Sequence, residues 1–254
     1  MIVIYVVAIL VFFLLVFALL IRISGPTSSR VLKPGIEYSI KGNKRVLGDF
    51  NIHGKIYLMK DHILDDFYDL VKYSDYILTK HGIKYTVAYG TMLGAVRHSG
   101  IMPWDDDADL YILVPNEKYE SVILGLKEEI EQDGYALKMN YDTNYFHVCK
   151  AGAQNNYPYI DWYRYHQTYS NEQLYPLKKL PFEDYEVCVP NKYMECIDVI
   201  FNQSGKNDPL NNIVHDYPLS RYYSLWLTQV LKSVPAIHRP LDKLAGVFFR
   251  GESW

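Results

Sequence analysis

Ala88-Tyr89-Gly90-Thr91-Met92-Leu93-Gly94-Ala95-Val96-Arg97-His98-Ser99-Gly100-Ile101-Met102-Pro103-Trp104-Asp105-Asp106-Asp107-Ala108-Asp109-Leu110 is the stretch on which the fold turns. Its end carries four carboxylates, Asp105, Asp106, Asp107 and Asp109. Alternate residues of a strand share a face. Asp105, Asp107 and Asp109 therefore line one face if the strand reaches back that far. Clustered anions raise one another's pKa unless a cation neutralises them. A hard divalent ion that takes oxygen ligands, Mg²⁺ or Mn²⁺, resolves that repulsion. For the acids alone, a solvated acidic turn is the competing reading.

The residues before the acids sharpen the choice. Residues 85–89 form a short apolar run that reads as a strand, and residues 107–114 read as a second one. Between them, Gly90-Thr91 turns the chain into a short helix over residues 92–97, and Ser99-Gly100 breaks it. A glycine at such a turn lets backbone N–H groups approach a phosphate, and the Thr91 hydroxyl can donate to the same oxygen. Arg97 can grip a phosphate with two parallel hydrogen bonds, or pair with a nearby aspartate. His98 can donate to a phosphate or carry a proton, or be a plain helix-end histidine. Trp104 suits a pocket wall or the core. Strand, Gly-Thr turn, helix, and then a strand bearing Asp-x-Asp is the arrangement of the nucleotidyltransferase fold.

Working outward, Leu64, Phe67, Tyr68 and Val71 recur at helical spacing, which predicts a helix over residues 61–80 stopped at Gly82. Asn116 is placed to cap a helix running to about residue 132. Residues 135–141 and 145–150 read as a hairpin joined at Asp142-Thr143-Asn144, and residues 157–163 as a further strand. Residues 185–189 read as a strand, residues 191–201 as a helix and residues 217–231 as an aromatic helix. Strands and helices mix without strict alternation, so the class is α+β or mixed α/β, with a central mixed sheet flanked by helices. Asp161 stands inside an otherwise apolar strand, a costly place for an unpaired charge. An acid on an edge strand facing water is the alternative.

The run Tyr89-Gly90-Thr91-Met92-Leu93-Gly94-Ala95-Val96-Arg97-His98, then Gly100, then Pro103-Trp104-Asp105-Asp106-Asp107-x-Asp109 resembles the signature of the LicD family, to which fukutin and fukutin-related protein are similar. The resemblance covers roughly residues 60–205. It implies a nucleotidyltransferase-like fold and transfer of a phosphoalcohol, such as phosphocholine or ribitol phosphate, from a CDP-linked donor to a glycan. It maps metal ligands onto Asp107 and Asp109, with Asp105 as a neighbouring acid and Asp161 as the third carboxylate from a later strand. Gly90, Thr91, Arg97 and His98 become the donor-binding group. The family continues Asp-Ile-Phe-Pro where this chain has Asp161-Trp162-Tyr163-Arg164, and a Tyr-Gly-Asp-like element where it has Phe201-Asn202-Gln203-Ser204-Gly205. Lys178 and Lys179 lie in a later block that resembles the family's, placed to meet donor phosphates or to form a solvated basic turn.

Residues 2–21 are uncharged and apolar but for Tyr5, and a bilayer-spanning helix needs roughly 20 residues. The expected layout is a transmembrane anchor over residues 1–22, a stalk and lead-in over 23–60, and a catalytic domain over 61–254. A cleaved signal peptide is the alternative, against which no basic residue precedes the apolar run. Arg22, Arg30, Lys33 and Lys41 after the anchor favour a cytosolic body. In a eukaryotic host the resemblance favours a lumenal type II protein of the Golgi or endoplasmic reticulum, where the sequon at Asn202 would be usable. A net charge of −3 argues against a nucleic-acid partner. Three cysteines without CxxC spacing argue against a disulfide framework or a cysteine zinc site. The 24 tyrosines read as compositional bias. Competing functions are a DxD glycosyltransferase, a nucleotidyltransferase releasing pyrophosphate, and a non-catalytic anchored binding protein.

Overall fold

The computed structural model describes residues 27–31, 34–47, 57–140, 145–153 and 157–201, with isolated positions among residues 5–16. The expected anchor lies almost wholly outside these residues. So do the turn at 142–144, the sequon and the helix expected over 217–231. No helix among the described residues is long and apolar enough to cross a membrane.

Strand β1 (Thr27–Val31) is followed by a hairpin of β2 (Glu37–Ile40) and β3 (Asn43–Val46), then by β4 (Tyr57–Met59). β1 and β4 pair antiparallel and belong to one compact unit. The β2–β3 hairpin belongs to the other unit, together with the chain from Asp61 onward. Part of the segment expected as a lead-in therefore folds with the main body. Tyr38, Ile40 and Leu47 are buried, while Lys41–Asp69 and Arg45–Glu183 are ion pairs near the surface. The apolar burial dominates, since surface pairs contribute about 0–1 kcal/mol and a buried Ile or Leu about 1.5–3 kcal/mol.

Helix α1 (Asp61–Lys80) buries a stripe of Leu64, Phe67, Tyr68, Val71, Ser74, Ile77 and Leu78. Asp61 in its first turn and Lys80 in its last complement the helix dipole. The chain leaves through Gly82, whose φ of 67° is left-handed. Next come β5 (Tyr85–Val87), α2 (Tyr89–His98) and β6 (Ala108–Ile112). A 3-10 turn at Asn116–Lys118 leads to α3 (Tyr119–Leu124) and α4 (Lys127–Gln132). Then follow β7 (Tyr135–Asn140), β8 (Tyr145–Lys150) and β9 (Tyr159–Arg164). The domain closes with α5 (Asn171–Leu174), β10 (Lys178–Phe182), β11 (Tyr185–Val189) and α6 (Tyr193–Phe201).

The central sheet runs β5–β6–β9–β8–β7. Only β6 and β9 pair parallel within it; the other neighbours are antiparallel. This is a mixed α/β architecture with a central mixed sheet, as the sequence predicts. Side chains alternate along β9, so Ile160 and Trp162 leave one face, and the Trp162 indole N–H donates to Ser74 Oγ of α1 at 3.1 Å. Tyr159, Asp161 and Tyr163 leave the other face.

Three local expectations need correction. Helix α2 starts at Tyr89 rather than Met92, because Tyr89 itself turns the chain with a φ of 42°. Asn116 does not cap one long helix. Instead the run divides into the 3-10 turn, α3 and α4, with Gly125 and Leu126 between the last two keeping right-handed angles. Lys178 and Lys179, for which the sequence leaves a donor-phosphate contact or a solvated basic turn, instead begin β10, a strand paired with β11. It tolerates Pro181 because that sheet has only two strands.

Candidate active site

The site is built where β5 passes into α2 beside the start of β6. Ala88 N–H donates to the Asp109 carbonyl at 2.9 Å, one step past the β5–β6 pairing. After the turn at Tyr89, Thr91 Oγ1 accepts from the Asp109 N–H at 2.8 Å. Both backbone groups of Asp109 are thus held by the strand–turn–helix segment. Thr91 is buried, and this bond uses one of its lone pairs, leaving its own O–H to donate elsewhere.

Gly90 serves a different need from the one its sequence context suggests. A Cβ there would collide with the Asp105 carboxylate. The space left by the missing side chain is occupied by a buried acid rather than held open for a phosphate.

The acids arrive by two routes. β6 begins at Ala108, so Asp105, Asp106 and Asp107 do not share a strand face with Asp109. They come instead from the loop before it, where one carboxylate oxygen from each lies within 4.8 Å of the others. Asp106, skipped by an alternating pattern, belongs to that group. The second route is the parallel pairing of β6 with β9, which sets Asp109 directly opposite Asp161. Antiparallel pairing then sets His147 of β8 opposite Asp161. One face of three adjacent strands carries Asp109, Asp161 and His147 in a row, and the next row carries Tyr111 and Tyr163.

Electrostatics bind these groups into one neighbourhood. Burial pushes the Asp109 carboxyl well above the usual range, and the charges of Asp107, Asp161, Asp105 and Asp106 push it further. Burial also raises Asp161, opposed by His147 and by the Tyr163 hydroxyl, with Asp107 raising it again. Tyr159 is raised by burial and then by Asp161, Asp107 and Asp106. Tyr163 donates to Asp161 Oδ2 at 3.0 Å. Tyrosine abundance, read from composition as bias, is concentrated here: Tyr89, Tyr111 and Tyr145 all pack against the Tyr163 ring.

Arg97 and His98 lie at the other end of α2, on the order of 10 Å from Gly90 at 1.5 Å rise per residue. The Arg97 guanidinium sits over the Trp104 ring at 5.5 Å, and one of its nitrogens lies 3.8 Å from Met102 Sδ. The His98 ring meets Trp104 edge-on, and burial with the nearby Arg97 charge lowers its pKa to about 4, so it is neutral near pH 7. Trp104 is fully buried. Lys179 pairs with Asp75 at 3.4 Å and Lys178 lies over the Tyr193 ring. The structure thus sets Gly90 against Asp105, Thr91 against Asp109, and Asp109 opposite Asp161, and places Arg97 and His98 against Trp104. Among the described residues the acids whose oxygens converge within 4.8 Å are Asp105, Asp106 and Asp107 rather than the expected trio of Asp107, Asp109 and Asp161. Sequence reasoning missed Asp106, His147 and Tyr163. The alternation of Tyr145 with His147 and of Asp161 with Tyr163 hinted at shared faces, but strand register brings them together.

The chain is similar in sequence to known proteins. The LicD/FKTN/FKRP nucleotidyltransferase-domain profile matches residues 82–192. An uncharacterized protein of Rickettsia prowazekii is 33% identical over 187 residues, covering 68% of this chain and 60% of that protein. Ribitol 5-phosphate transferase FKRP of Mus musculus is 24% identical over 152 residues, covering 52% of this chain and 30% of that one. Lipopolysaccharide cholinephosphotransferase LicD of Haemophilus influenzae is 39% identical over 44 residues, 17% of each chain. The chain spans less than two thirds of the length of each of these relatives. The matched segment runs from the end of α1 to the start of α6 and includes all the clustered acids, so residues 82–192 of this chain belong to the LicD/FKTN/FKRP nucleotidyltransferase-domain family.

Proposed function

We propose that this domain transfers a phosphoalcohol group, of the phosphocholine or ribitol phosphate kind, from a CDP-activated donor to a glycan hydroxyl. The observation that carries the reading is the pairing of Asp109 with Asp161 across adjacent parallel strands, beside the converging Asp105, Asp106 and Asp107. The activities for which FKRP and LicD are named, transfer of ribitol 5-phosphate and of phosphocholine, support the class of group moved.

A divalent cation fits these residues. The donor set is all carboxylate oxygen, Asp107 Oδ1 is buried without a hydrogen-bond partner, and Asp109 is destabilised as an anion. Asp107, Asp109 and Asp161 would hold Mg²⁺ or Mn²⁺, which when bound neutralises charge on the donor pyrophosphate. The first-turn N–H groups of α2 at Gly90 and Thr91 lack intrahelical partners and would meet donor phosphate oxygens only on the side of the turn that the Asp105 carboxylate leaves open. Asp161 or Asp105 accepts the proton of the acceptor hydroxyl. The acceptor oxygen forms the new P–O bond, the P–O bond to CMP breaks, and CMP leaves with the electron pair. Arg97 and His98 act through Trp104, holding the loop that delivers the acids.

The test is incubation of the protein with CDP-choline, CDP-ribitol and a glycan acceptor in Mg²⁺, with CMP followed by chromatography. CMP release that stops with EDTA is expected. A nucleoside diphosphate with a glycosidic product would show a glycosyltransferase instead, and pyrophosphate from a nucleoside triphosphate would show a nucleotidyltransferase. Gly90→Ala is expected to fold, because its new methyl group meets the end of a side chain and not backbone. Displacing Asp105 should still lower turnover about 10²-fold, the usual cost of a 1 Å misplacement. Wild-type turnover in that variant would remove Asp105 from the site.

A further inference from the structure

The Asp161 carboxylate is held from both sides. Tyr163 donates to Oδ2. His147 Nδ1 lies 2.5 Å from Oδ1, close enough for an ion contact but off the line of a hydrogen bond. On the far side of the imidazole, Asn140 Nδ2 lies 3.1 Å from Nε2. Asn140 comes from β7 and stands diagonal to His147 in the antiparallel pairing, because Lys138 is the residue directly opposite. With the Asn140 amide nitrogen facing it, Nε2 is placed to accept, which leaves Nδ1 as the ring nitrogen facing Asp161. The His147 side chain is only 18% exposed and is flanked by the rings of Tyr145 and Tyr159 at 5.1 and 4.4 Å, which fix its plane.

We infer that Asn140 and His147 form a positioning chain that aims the Asp161 carboxylate, so that β7, the strand farthest from the acid loop, helps set the geometry of the reaction site. The inference rests on the proposed role of Asp161. Carboxylates that ligate metals are commonly oriented by a hydrogen-bonded partner, and loss of that partner typically costs 10–100-fold in metal affinity or activity. The Asp161 carboxylate stands opposite Asp109 and feels the charge of Asp107, which gives it reason to rotate away from them. The imidazole in contact with Asp161 from the β8 side, across from Asp109, opposes that rotation.

The test compares His147→Ala with His147→Asn, because an asparagine amide keeps an N–H near the Nδ1 position. Mn²⁺ affinity is measured by calorimetry on the full chain, alongside kcat and donor KM and a melting curve. His147→Ala is expected to weaken Mn²⁺ binding and lower kcat, each about 10-fold, with donor KM within twofold. His147→Asn is expected to recover most of both. The inference is overturned if folded His147→Ala binds Mn²⁺ as the wild type does, or if His147→Asn is as impaired as His147→Ala. Should His147→Ala melt early, Asn140→Ala carries the test, with a smaller loss of the same sign expected and unchanged Mn²⁺ affinity counting against the chain. Wild-type protein without Mn²⁺ affinity would overturn the parent reading and this one together. Wild-type binding matched by His147→Ala would overturn this one alone.

Discussion

Asp109→Asn should cost about 10³-fold or more in turnover and, in metal-free protein, raise the melting temperature. The two effects share one cause. Asp109 is buried among Asp107, Asp161, Asp105 and Asp106, so its ionised form is opposed both by desolvation and by like charges. An amide of the same shape removes that opposition. It also removes a ligand from a site whose chemistry depends on neutralising phosphate charge. The backbone bonds from Ala88 and to Thr91 do not involve the side chain, so the strand should stay in place.

The sign of the pH dependence follows from the direction of the shift. Burial and like charge raise the folded-state pKa of Asp109 above its unfolded value. Its contribution is therefore most favourable below the unfolded pKa and is lost as pH rises through the folded one. Between neutral pH and about pH 4, the unperturbed carboxylate range, metal-free wild type should gain stability relative to Asp109→Asn as the solution is acidified. Groups remote from Asp109 cancel in that difference, whereas the neighbouring acids titrate jointly with it and belong to the effect. Adding Mg²⁺ or Mn²⁺ should stabilise the wild type by mass action and leave the variant nearly unmoved. Thermal melts at several pH values, with EDTA or with metal, measure all of this. A variant that melts below wild type in EDTA would show that the carboxylate is satisfied by the protein alone.

The parts of the site legible in sequence are those encoded by neighbours along the chain. Strand, Gly-Thr turn, helix and acid run follow one another within 88–110, and local propensity suffices to order them. Asp161 was legible for a different reason, since an acid among Tyr159, Ile160, Trp162 and Tyr163 demands explanation. What the sequence hid was set by pairing between distant strands. Nothing along the chain says that β9 lies between β6 and β8, and a register moved by one residue would send Asp161 to the α1 face. His147 therefore could not be matched to its partner. Asp106 was hidden by a period-2 reading of residues that in fact precede the strand. The purpose of Gly90 was hidden because a glycine gives the same signal whether it admits a ligand or a neighbouring carboxylate.

Gly94→Ala should be far more damaging than the change at Gly90, although both glycines lie in α2. In a helix interior, replacing glycine by alanine ordinarily gains up to about 1 kcal/mol. At Gly94 the added Cβ would stand 2.5 Å from the Gly100 carbonyl oxygen and 3.1 Å from the Met102 nitrogen. Both are backbone atoms, so no rotamer change can relieve the contact. The 99–105 loop is also pinned on several sides. The Ser99 N–H donates to the Gly94 carbonyl, the Ile101 N–H donates to the Tyr68 hydroxyl at 2.7 Å, and the Glu183 N–H donates to the Ser99 carbonyl at 2.7 Å. Overpacking of a tight site costs about 1–3 kcal/mol, and a rigid backbone neighbour argues for the upper end. The steric cost outweighs the propensity gain, and a net loss of about 1–2 kcal/mol is expected. Because the displaced loop delivers Asp105, Asp106 and Asp107, turnover should fall with stability, by about 10²-fold. The contrast is diagnostic: Gly90→Ala should lose activity with its melting curve nearly intact, whereas Gly94→Ala should lose both. A Gly94→Ala protein as stable and as active as wild type would mean that the loop does not seat against α2, and that another contact sets the position of the acids.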